Sequence, residues 1–393
     1  MFRKIKYEYV SYDELYKAYQ DCRKHKWKTK NAANFQMNLS SNLNYLYYEL
    51  NTGKYKIGKS IAFIVDKPVK REVFAADFRD RIVHHLVINR LMETFEQVMI
   101  NNSFSCRKGK GTLYGIKMLE SEVKKITENY TKDAYVLKCD LKSFFMTISK
   151  KLLYDKIEKL VMEEIYPNDS FNADFINNLI KLIIFNNPQD DCIRKQKISK
   201  WKQLPKDKSL FNTPKTHGIP IGNLTSQIFA NFFLKDFDYY IYNELNFKYY
   251  GRYVDDFYIL FEDKQTLLEA IPKMKEKLKE ININLHPNKI YIQNINKGVK
   301  FIGGIIKPNR TYIAKRTINN LKHFIYTTHK KNNIHDINEY DVLKFISSFN
   351  SYFGFMKHHN TFNIRRKILK SNLMKPFMEK VYYKNYNKII IKK

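Results

Sequence analysis

The sequence predicts an α+β fold in which helices pack around a small antiparallel sheet. Apolar residues recur at helical spacing over long segments such as 77–98 and 171–186. Segments 135–148 and 248–262 are rich in apolar and aromatic residues and are predicted to form strands. The second segment continues on both sides of an Asp pair, which is typical of a β-hairpin. Since a hairpin joins antiparallel strands, we expect the sheet that contains it to be antiparallel.

The other elements follow from the same two periodicities. Further helices are predicted at 11–24, 33–50, 151–165, 218–245 and 264–280, after the glycine loop of 102–120, and over most of 307–393. Further strands are predicted as short runs within 53–76, at 289–295 and at 299–306. Residues 187–217 are polar and basic without a clear period, so we expect them to loop over the surface.

The charge of the chain predicts anionic partners. Its 393 residues include 70 Lys and Arg against 39 Asp and Glu, which gives a formal net charge of +31. Residues 307–393 carry about half of that charge, with 19 Lys and Arg against four Asp and Glu. A hydrophobic content of 44% and an aromatic content of 15% exclude a disordered polycation.

Composition also predicts a cytoplasmic protein. No apolar run reaches the roughly 18 residues of a membrane-spanning helix, and MFRKIKYEYV lacks the apolar stretch of a secretory signal. Cys22, Cys106, Cys139 and Cys192 lie far apart without a CxxC pair. This spacing argues against a zinc site and against a disulfide framework, as expected in a reducing compartment.

Three carboxylates are the candidate chemical centre. Asp140 stands at the end of one predicted strand, and Asp255 and Asp256 stand at the hairpin turn. Phosphoryl transfer from a nucleoside triphosphate places negative charge on several oxygens. Two Mg²⁺ ions roughly 3.5–4 Å apart neutralise this charge, and carboxylates hold the two ions in place. A solvated turn is the alternative, because hairpin turns favour Asp for their own geometry. The half-buried apolar residues on both sides favour the cation site.

Further motifs surround these carboxylates in a fixed order. They are KREVFAADFRDR, SFSCRKGKGT, CDLKSFF, GIPIGNLTSQ, and LHPNK followed by VKFIGG. In this order they resemble the motifs of a reverse transcriptase. LYKAYQDCRK, KSLFN and SYFGFMKHHNTFNIRRKI extend the likeness along nearly the whole chain. More narrowly, Ile221-Gly222 with Ser226-Gln227 resembles the reverse transcriptases of diversity-generating retroelements, with bacterial defence reverse transcriptases as near neighbours.

The resemblance implies a right-hand polymerase with an antiparallel palm sheet and a helical thumb. The fingers are expected at 1–134, the palm at 135–306 and the basic thumb at 307–393, which would lie along an A-form duplex. The implied reaction copies a dedicated non-coding RNA into DNA from deoxynucleoside triphosphates, with two Mg²⁺ ions or Mn²⁺ as a substitute. An RNA–DNA duplex and an accessory protein or second subunit are the other implied partners.

The resemblance also implies the catalytic groups. Asp140 and Asp255 are expected to bind both metal ions, with Asp256 adjoining them and the backbone carbonyl of Leu141 as an extra ligand. Lys289 in LHPNK matches a lysine proposed as the general acid for pyrophosphate departure, with an ordinary surface lysine as the alternative.

Contacts to the incoming nucleotide are expected from the fingers and palm. Lys70, Arg71 and Arg79 occupy the positions of triphosphate or template contacts, for which guanidinium is well suited. For Arg81 two roles stay open, namely the same contact or a buried ion pair with a neighbouring Asp. Phe145 matches the steric gate against a ribose 2′-hydroxyl, whereas we expect Phe144 to lie in the core.

Two further sets complete the expected site. Nucleotide contacts are expected at Ile221, Gly222 and Gln227, where an aliphatic Ile in place of an amide predicts looser base selection. Template and primer contacts are expected at Arg107, Lys108, Phe301, Gly303 and Gly304, with a plain turn as the alternative for the glycine loop. His84-His85 and His358-His359 lack ligand partners at suitable spacing and are predicted to pack or contact RNA.

Three biological functions stay open at this point. Mutagenic copying of a template RNA into a variable gene comes first. Antiphage defence, with DNA made from or with the enzyme's own structured RNA, is the alternative. An RNA-binding module without catalysis is the third, against which the intact Asp140, Asp255, Asp256 and Lys289 argue.

Overall fold

The computed structural model describes residues 7–24, 29–66, 69–331 and 338–392. Its α-helices are α1 (Tyr12–Arg23), α2 (Lys30–Met37), α3 (Leu39–Asn51), α4 (Phe78–Val98), α5 (Thr112–Ile126), α6 (Phe144–Thr147), α7 (Lys150–Leu160), α8 (Ser170–Phe185), α9 (Leu224–Phe233), α10 (Lys235–Tyr239), α11 (Lys264–Lys279), α12 (Lys315–Lys331), α13 (Glu339–Met356) and α14 (Phe362–Leu369). Most of the predicted helices are thereby confirmed, although Asn38 divides the predicted helix 33–50 into α2 and α3.

Short strands form four small sheets. The strands are β1 (Ser60–Val65), β2 (Arg71–Ala75), β3 (Tyr135–Asp140), β4 (Cys192–Arg194), β5 (Tyr249–Tyr253), β6 (Asp256–Phe261), β7 (Tyr291–Asn294), β8 (Val299–Phe301), β9 (Gly304–Lys307), β10 (Arg310–Ile313), β11 (Val381–Lys384) and β12 (Lys388–Ile391). The mixture of helices and largely antiparallel sheets confirms the predicted α+β class.

The central sheet positions the candidate site. Its four strands are antiparallel in the order β5-β6-β3-β7, and Asp140 at the end of β3 is paired with Asp256 at the start of β6. One face packs on the main core through Leu137 and Ile259. The other face, which carries Val136, Lys138 and Tyr258, packs on α5 and the β8–β9 hairpin. Helices or hairpins therefore cover both faces of the sheet. The accessible part is the end of the sheet at which Asp140 and Asp256 lie.

The predicted surface loop at 187–217 is in part wrong. Within it, Cys192–Arg194 forms β4, which pairs in parallel with β1 beside the antiparallel β1–β2 pair. Buried Glu72 of β2 then holds the following turns, accepting bonds from the Trp201 indole at 2.9 Å and the Ser209 hydroxyl at 2.7 Å. The sequence of this segment has no hydrophobic period because the segment contains short 3₁₀ turns instead of a long helix. Side-chain contacts attach it to this N-terminal sheet.

The C-terminal region is only partly the helical unit that was expected. Helices α12 to α14 enclose a core of their own, in which Phe345 stacks on Phe377 with ring centroids 4.0 Å apart. Strand β10 pairs with β9, so the sheet continues across the predicted palm–thumb boundary at 306. The antiparallel pair β11–β12 closes the chain and is fixed to α13 by two hydrogen bonds of 2.8 Å between Asn350 and the backbone of Ile389. No helix in the described ranges has the length and apolarity needed to cross a bilayer.

A buried carboxylic acid joins α5 to the central sheet. Glu122 accepts hydrogen bonds from the Tyr258 hydroxyl and from the Asn102 side-chain amide, both at 2.7 Å. Burial raises the pKa of Glu122 from 4.5 to about 7, although both hydrogen bonds act in the opposite direction. The folded protein therefore binds this proton more tightly than the unfolded chain does.

We predict that Glu122→Gln changes how stability depends on pH. The raised pKa makes a stabilising contribution that is fully present below pH 4.5 and is lost as the pH rises through about 7. The neutral amide keeps the contribution, so the variant should gain on the order of 2–3 kcal/mol over the wild type between pH 4.5 and 8. Urea unfolding at pH 4.5, 6 and 8 measures this difference. A pH-independent difference between the two proteins would contradict the assignment.

Candidate active site

The hairpin between β5 and β6 has a tight, strained turn. Tyr253 and Asp256 are the last paired residues, so Val254 and Asp255 alone form the turn. Val254 has a φ of +61°, a left-handed conformation that a β-branched residue rarely adopts and that costs about 1–3 kcal/mol. Such strain persists only when surrounding contacts determine the backbone, and these contacts come from Arg252.

Arg252 is completely buried and uses all of its donors. It binds both carboxylate oxygens of Asp238 on α10, at 2.7 and 2.5 Å. The remaining N–H groups donate to the side-chain and backbone oxygens of Asn231 on α9 and, at 3.0 Å, to the carbonyl of Val254. A guanidinium has five N–H donors, and here all five have partners. The turn is therefore fixed to two helices by one side chain.

Asp140 and Asp255 meet at the end of the central sheet. The backbone N–H of Leu141 donates to the backbone carbonyl of Asp255 at 2.9 Å, which joins the end of β3 to the turn. Burial, and then the neighbouring negative charge of Asp140, raises the pKa of Asp255. A carboxylate that is destabilised by its neighbour in this way is stabilised by a cation placed between the two.

The carbonyl of Leu141 points to the same region. Leu141 forms an isolated antiparallel β-bridge with Leu285. Two backbone hydrogen bonds flank this bridge. The His286 N–H donates to the Asp140 carbonyl at 2.7 Å, and the Lys142 N–H donates to the Asn284 carbonyl at 2.8 Å. In this pairing pattern the N–H and C=O of Leu141 itself face the other side, toward Asp255. Among the described residues, no hydrogen bond to the Leu141 carbonyl is formed.

Lys289 lies at this site as the LHPNK motif predicts. It ends a 3₁₀ turn at Pro287–Lys289, and its Nζ donates to Asp140 Oδ1 at 2.8 Å. The side chain of Lys289 is half exposed, so it can also reach a ligand on the solvent side. Its role as general acid stays a prediction beside the surface-lysine alternative.

Asp256 has a different partner, which the sequence analysis missed. Its carboxylate forms an ion pair with Lys138, whose buried ammonium lies 5.1 Å from the centre of the Phe301 ring. Burial lowers the pKa of Lys138 to about 8, although the charge of Asp140 opposes this shift. Strand periodicity could have found the residue, since positions 138 and 140 lie on one face of β3. The pairing favours an indirect role for Asp256 at the cations, which stays a prediction.

The donor set fits magnesium better than a soft metal. No group of three His, Cys, Asp or Glu side chains that could hold a metal ion occurs in the parts of the chain that the structure describes. Mg²⁺ requires only one or two protein carboxylates and takes its other ligands from waters and substrate phosphates. The carboxylates of Asp140 and Asp255 and the carbonyl of Leu141 are all hard oxygen donors of this type.

Phe145 and Ile221 share one apolar cluster beside the site. Both are half-buried against a small core that contains Phe74 and Met146. Two backbone hydrogen bonds hold them there, from the Ile219 N–H to the Phe145 carbonyl at 2.9 Å and from the Phe74 N–H to the Ile221 carbonyl at 2.8 Å. Phe144 is buried in the main core, as expected. The structure thus brings the predicted steric gate and the predicted base-selection residue together.

The close approach at Gly222 is to strand β2 rather than to open space. A Cβ at this position would lie 2.7 Å from Val73 Cγ1 and 3.0 Å from the Phe74 carbonyl oxygen, and φ is +127°. The glycine is therefore required by the backbone packing itself, which corrects the expectation that a nucleotide or primer explains it. Gln227 on α9 is also tied to its surroundings, since its side-chain carbonyl accepts from the Cys106 thiol at 3.0 Å.

The basic residues of KREVFAADFRDR separate into free and occupied groups. Arg71 is exposed on β2, and its charge favours the ionised form of Asp255. Lys70 donates to the Gln203 side chain at 2.5 Å. Arg79 is occupied elsewhere, because it pairs with Glu49 and with Asp80 at 3.3 Å.

These contacts correct two expectations about the arginines. The guanidinium of Arg79 also donates to the Lys56 carbonyl at 3.0 Å and lies over the Tyr55 ring, so its contacts are structural. Arg81, which was open between two roles, forms no carboxylate pair among the described residues and donates from Nε to the Ala76 carbonyl at 2.8 Å. The buried pair thus belongs to Arg79 instead of Arg81.

The glycine loop likewise contains one structural and one exposed cation. Arg107 is buried and binds Glu96 at 2.6 Å and the carbonyls of Ile100 and Ser103 at 2.5 and 3.1 Å. It therefore folds the loop, which corrects its assignment as a template contact. Lys108 is exposed and stays a candidate for that contact.

The predicted primer-contact motif is a two-residue hairpin turn between β8 and β9. Ile302 and Gly303 both have positive φ, at +38° and +94°. Phe301 is buried against Tyr258 and Lys138, so its side chain is structural and only the turn backbone can meet a primer. A Cβ on Gly304 would lie 3.0 Å from Ile116, so this glycine lets the hairpin pack on α5.

One histidine of each pair is buried, whereas His358 is exposed and His85 is half-buried, so the predicted choice between packing and RNA contact is decided only for His84 and His359. His84 is buried on α4 within 3.4 Å of the Thr225 hydroxyl, and His359 packs edge-on against Phe355.

Sequence comparison identifies the family to which this site belongs. The profile of the family described as "Reverse transcriptase (RNA-dependent DNA polymerase)" matches residues 69–306, more than half of the chain. The chain belongs to the reverse transcriptase family. The predicted enzyme class, RNA-directed DNA polymerase, is thereby confirmed. The matched residues include the whole central sheet, with Asp140, Asp255 and Lys289.

Individual relatives are more distant. Protein YkfC of Escherichia coli (strain K12) is 21% identical over 327 residues, which cover 74% of this chain and 78% of that protein. Telomerase of Candida albicans, solved with a TWJ fragment of telomeric RNA, is 11% identical with a TM-score of 0.44 over 83% of this chain. Apo telomerase of Candida tropicalis is 13% identical with a TM-score of 0.45 over 82% of it. This reverse transcriptase spans about three fifths of those telomerase chains, 59% and 61% respectively.

We predict that Arg252→Lys strongly destabilises this reverse transcriptase. Lysine keeps the charge but cannot reach Asp238, Asn231 and Val254 together, and groups left unpaired in a buried ion pair typically cost about 3–5 kcal/mol. Urea unfolding measures the loss, with Arg310→Lys, at the exposed first residue of β10, as the matched control. A loss below about 1 kcal/mol would show that other contacts hold the turn.

Proposed function

We propose that this reverse transcriptase synthesises DNA on an RNA template by two-metal nucleotidyl transfer at Asp140 and Asp255. The observation that carries the proposal is the meeting of these carboxylates at the end of the central sheet, where burial and the charge of Asp140 raise the pKa of Asp255. Asp140, Asp255 and the Leu141 carbonyl would hold the metal ions. Bound there, Mg²⁺ or Mn²⁺ would neutralise charge on the phosphates and activate the primer hydroxyl.

The chain's own groups have separate roles in this proposal. Lys289 carries a proton on Nζ, 2.8 Å from Asp140 Oδ1, and donates it to the departing pyrophosphate. Arg71, exposed on β2 and electrostatically coupled to Asp255, binds the triphosphate. Phe145, half-buried against the same small cluster as Ile221, excludes a ribose 2′-hydroxyl. The turn at Ile302 and Gly303 meets the primer end through its backbone.

We predict that Asp255→Ala abolishes nucleotide incorporation and leaves RNA binding intact. Loss of a metal-binding carboxylate removes several kcal/mol of transition-state stabilisation, or about 10³-fold or more in rate. Extension of a DNA primer on an RNA template measures the rate, and fluorescence anisotropy measures RNA binding. Glu276→Ala on exposed α11 is the matched control. Retained synthesis would refute the assignment, and lost RNA binding would mean that Asp255 is structural.

We further propose that this enzyme is of the diversity-generating retroelement type, copying a dedicated non-coding RNA with frequent errors. Ile221 supports this proposal, because its side chain packs against the same small apolar cluster, with Phe74, as that of Phe145. An aliphatic side chain at that place fills space without offering a hydrogen bond, so mismatched nucleotides are rejected less strongly. An accessory protein on the basic surface and a location in the cytoplasm belong to the same proposal.

We predict that Ile221→Gln lowers misincorporation opposite template adenine severalfold, because an amide can discriminate by hydrogen bonding. The measurement is to purify the protein from its native locus and to sequence the bound RNA and the attached cDNA. Ile198→Gln, at an exposed isoleucine outside the apolar cluster, is the matched control. Equal error rates in all three proteins would refute the role of Ile221.

The same sequencing separates the two biological functions. A single RNA that carries a repeat of a neighbouring gene, with cDNA errors at adenines, supports diversity generation. A structured RNA without such a repeat, or repetitive DNA, favours antiphage defence.

A further inference from the structure

A second groove lies outside the residues of the candidate active site. It has a volume of about 1180 Å³ and runs between α8 and two segments of the N-terminal region, residues 7–9 and residues 48–57. None of the predicted catalytic, nucleotide or primer residues lines it. We call it the α8 groove.

Helix α8 presents apolar side chains to this groove instead of burying them. Phe171, Leu182 and Phe185 are 40%, 44% and 40% exposed, and all three line the groove. The opposite side of α8, with Ile176, Ile180 and others, is packed into the main core. Several large apolar side chains exposed in one groove are a feature of binding sites rather than of ordinary solvated helices.

The aromatic rings of the groove are held in place before any ligand binds. Asn51 at the end of α3 accepts from the backbone N–H groups of Tyr9 and Val10, at 2.6 and 3.0 Å. This contact fixes Tyr9, which stacks on Phe171 and Phe175 with centroid distances of 4.3 and 4.8 Å. Phe171, the exposed ring of this stack, is 40% exposed and has the Tyr7 ring edge-on at 5.7 Å, so its remaining surface can accept a further planar group at low entropic cost.

The charge at the groove is positive. Lys54, Lys56 and Lys181 are exposed along its edges, and Asp174 is the carboxylate among the lining residues of the described chain. Asn178 adds an exposed amide on the same helix. Aromatic rings bordered by lysines match the requirements of single-stranded nucleic acid, in which bases stack and phosphates stay outside.

We infer that the α8 groove binds a single-stranded segment of RNA, through base stacking on Phe171 and Phe185 and phosphate contacts to Lys54 and Lys181. It would hold RNA at a distance from the reacting nucleotides and so keep a long template transcript on the enzyme. The identity of the bound strand as the template RNA rests on the proposed function. The stacking geometry and the charge of the groove do not depend on the proposed function.

The first test removes the stacking platform. Phe171→Ala with Phe185→Ala should weaken binding of a fluorescein-labelled ten-nucleotide oligouridylate at least about tenfold, since each stacked base contributes about 1–3 kcal/mol. Fluorescence anisotropy is measured with an excess of a short RNA–DNA duplex, which occupies the catalytic cleft. Tyr45→Ala, at an exposed tyrosine of α3 outside the groove, is the matched control and should bind as the wild type does. Oligodeoxyuridylate of equal length shows whether the groove prefers RNA.

The second test uses the lysines and does not disturb the packing. Lys54→Gln with Lys181→Gln should reduce the slope of log affinity against log salt by about 1.4, because each phosphate contact on a single strand contributes about 0.7. Lys264→Gln with Lys279→Gln removes the same charge from exposed positions of α11 and should leave the slope unchanged.

The outcomes distinguish this inference from the proposed function. Weaker oligonucleotide binding in the groove variants, with normal extension of a short primer–template, supports it. Unchanged affinity and salt slope overturn it, as does a defect confined to binding of a purified accessory protein. If the wild type extends no primer while the groove variants still lose RNA binding, the proposed function fails and the groove assignment stands.

Discussion

The buried guanidinium of Arg252 is the interaction on which the site depends. It joins Asp238 and Asn231, on two helices, to the carbonyl of Val254 in a turn that holds an unfavourable conformation. The desolvation of a buried ion pair is costly, and complete hydrogen bonding is what makes this one tolerable. The result is a hairpin turn that cannot relax, with Asp255 held beside Asp140. A site for two like charges needs such a frame, because the carboxylates would otherwise move apart.

The adjacent Asp255 and Asp256 end in different environments because Asp255 belongs to the two-residue turn, whereas Asp256 is the first paired residue of β6. The backbone carbonyl of Asp255 accepts from the Leu141 N–H, and burial together with the like charge of Asp140 raises the pKa of Asp255. Asp256 is directed to Lys138, which in turn lies over Phe301 of the β8–β9 hairpin. The hairpin proposed to meet the primer is thereby connected to the strand that carries Asp140. Lys138 thus provides a physical link between the β8–β9 hairpin and Asp256 of the β5–β6 hairpin.

Basic residues in the motifs divide according to whether a carboxylate of the protein binds them. Arg79 and Arg107 have the residue type and position of phosphate contacts, yet Glu49 and Glu96 already bind their guanidinium groups. Arg71 and Lys108 are exposed in the same segments. The sequence shows that an arginine stands at a turn or at a helix start. It does not show the partner of that arginine, because the partner belongs to another segment of the chain. The α8 groove shows the same limit, since Tyr9, Asn51 and Phe171 are far apart in sequence.

The sequence by itself determined the α+β class, most helices, the strand that ends at Asp140, the Asp255 hairpin and the family, because these depend on local periodicity and on contiguous motifs. It did not determine β4, the β11–β12 hairpin, the Lys138–Asp256 pair or the structural roles of Arg79 and Arg107. Each of these results from a contact between residues that are well separated along the chain or that belong to different strands. Only the tertiary structure decides such contacts. A polar or charged group that becomes buried must pair with a complementary group, and the fold determines which group lies nearest to it.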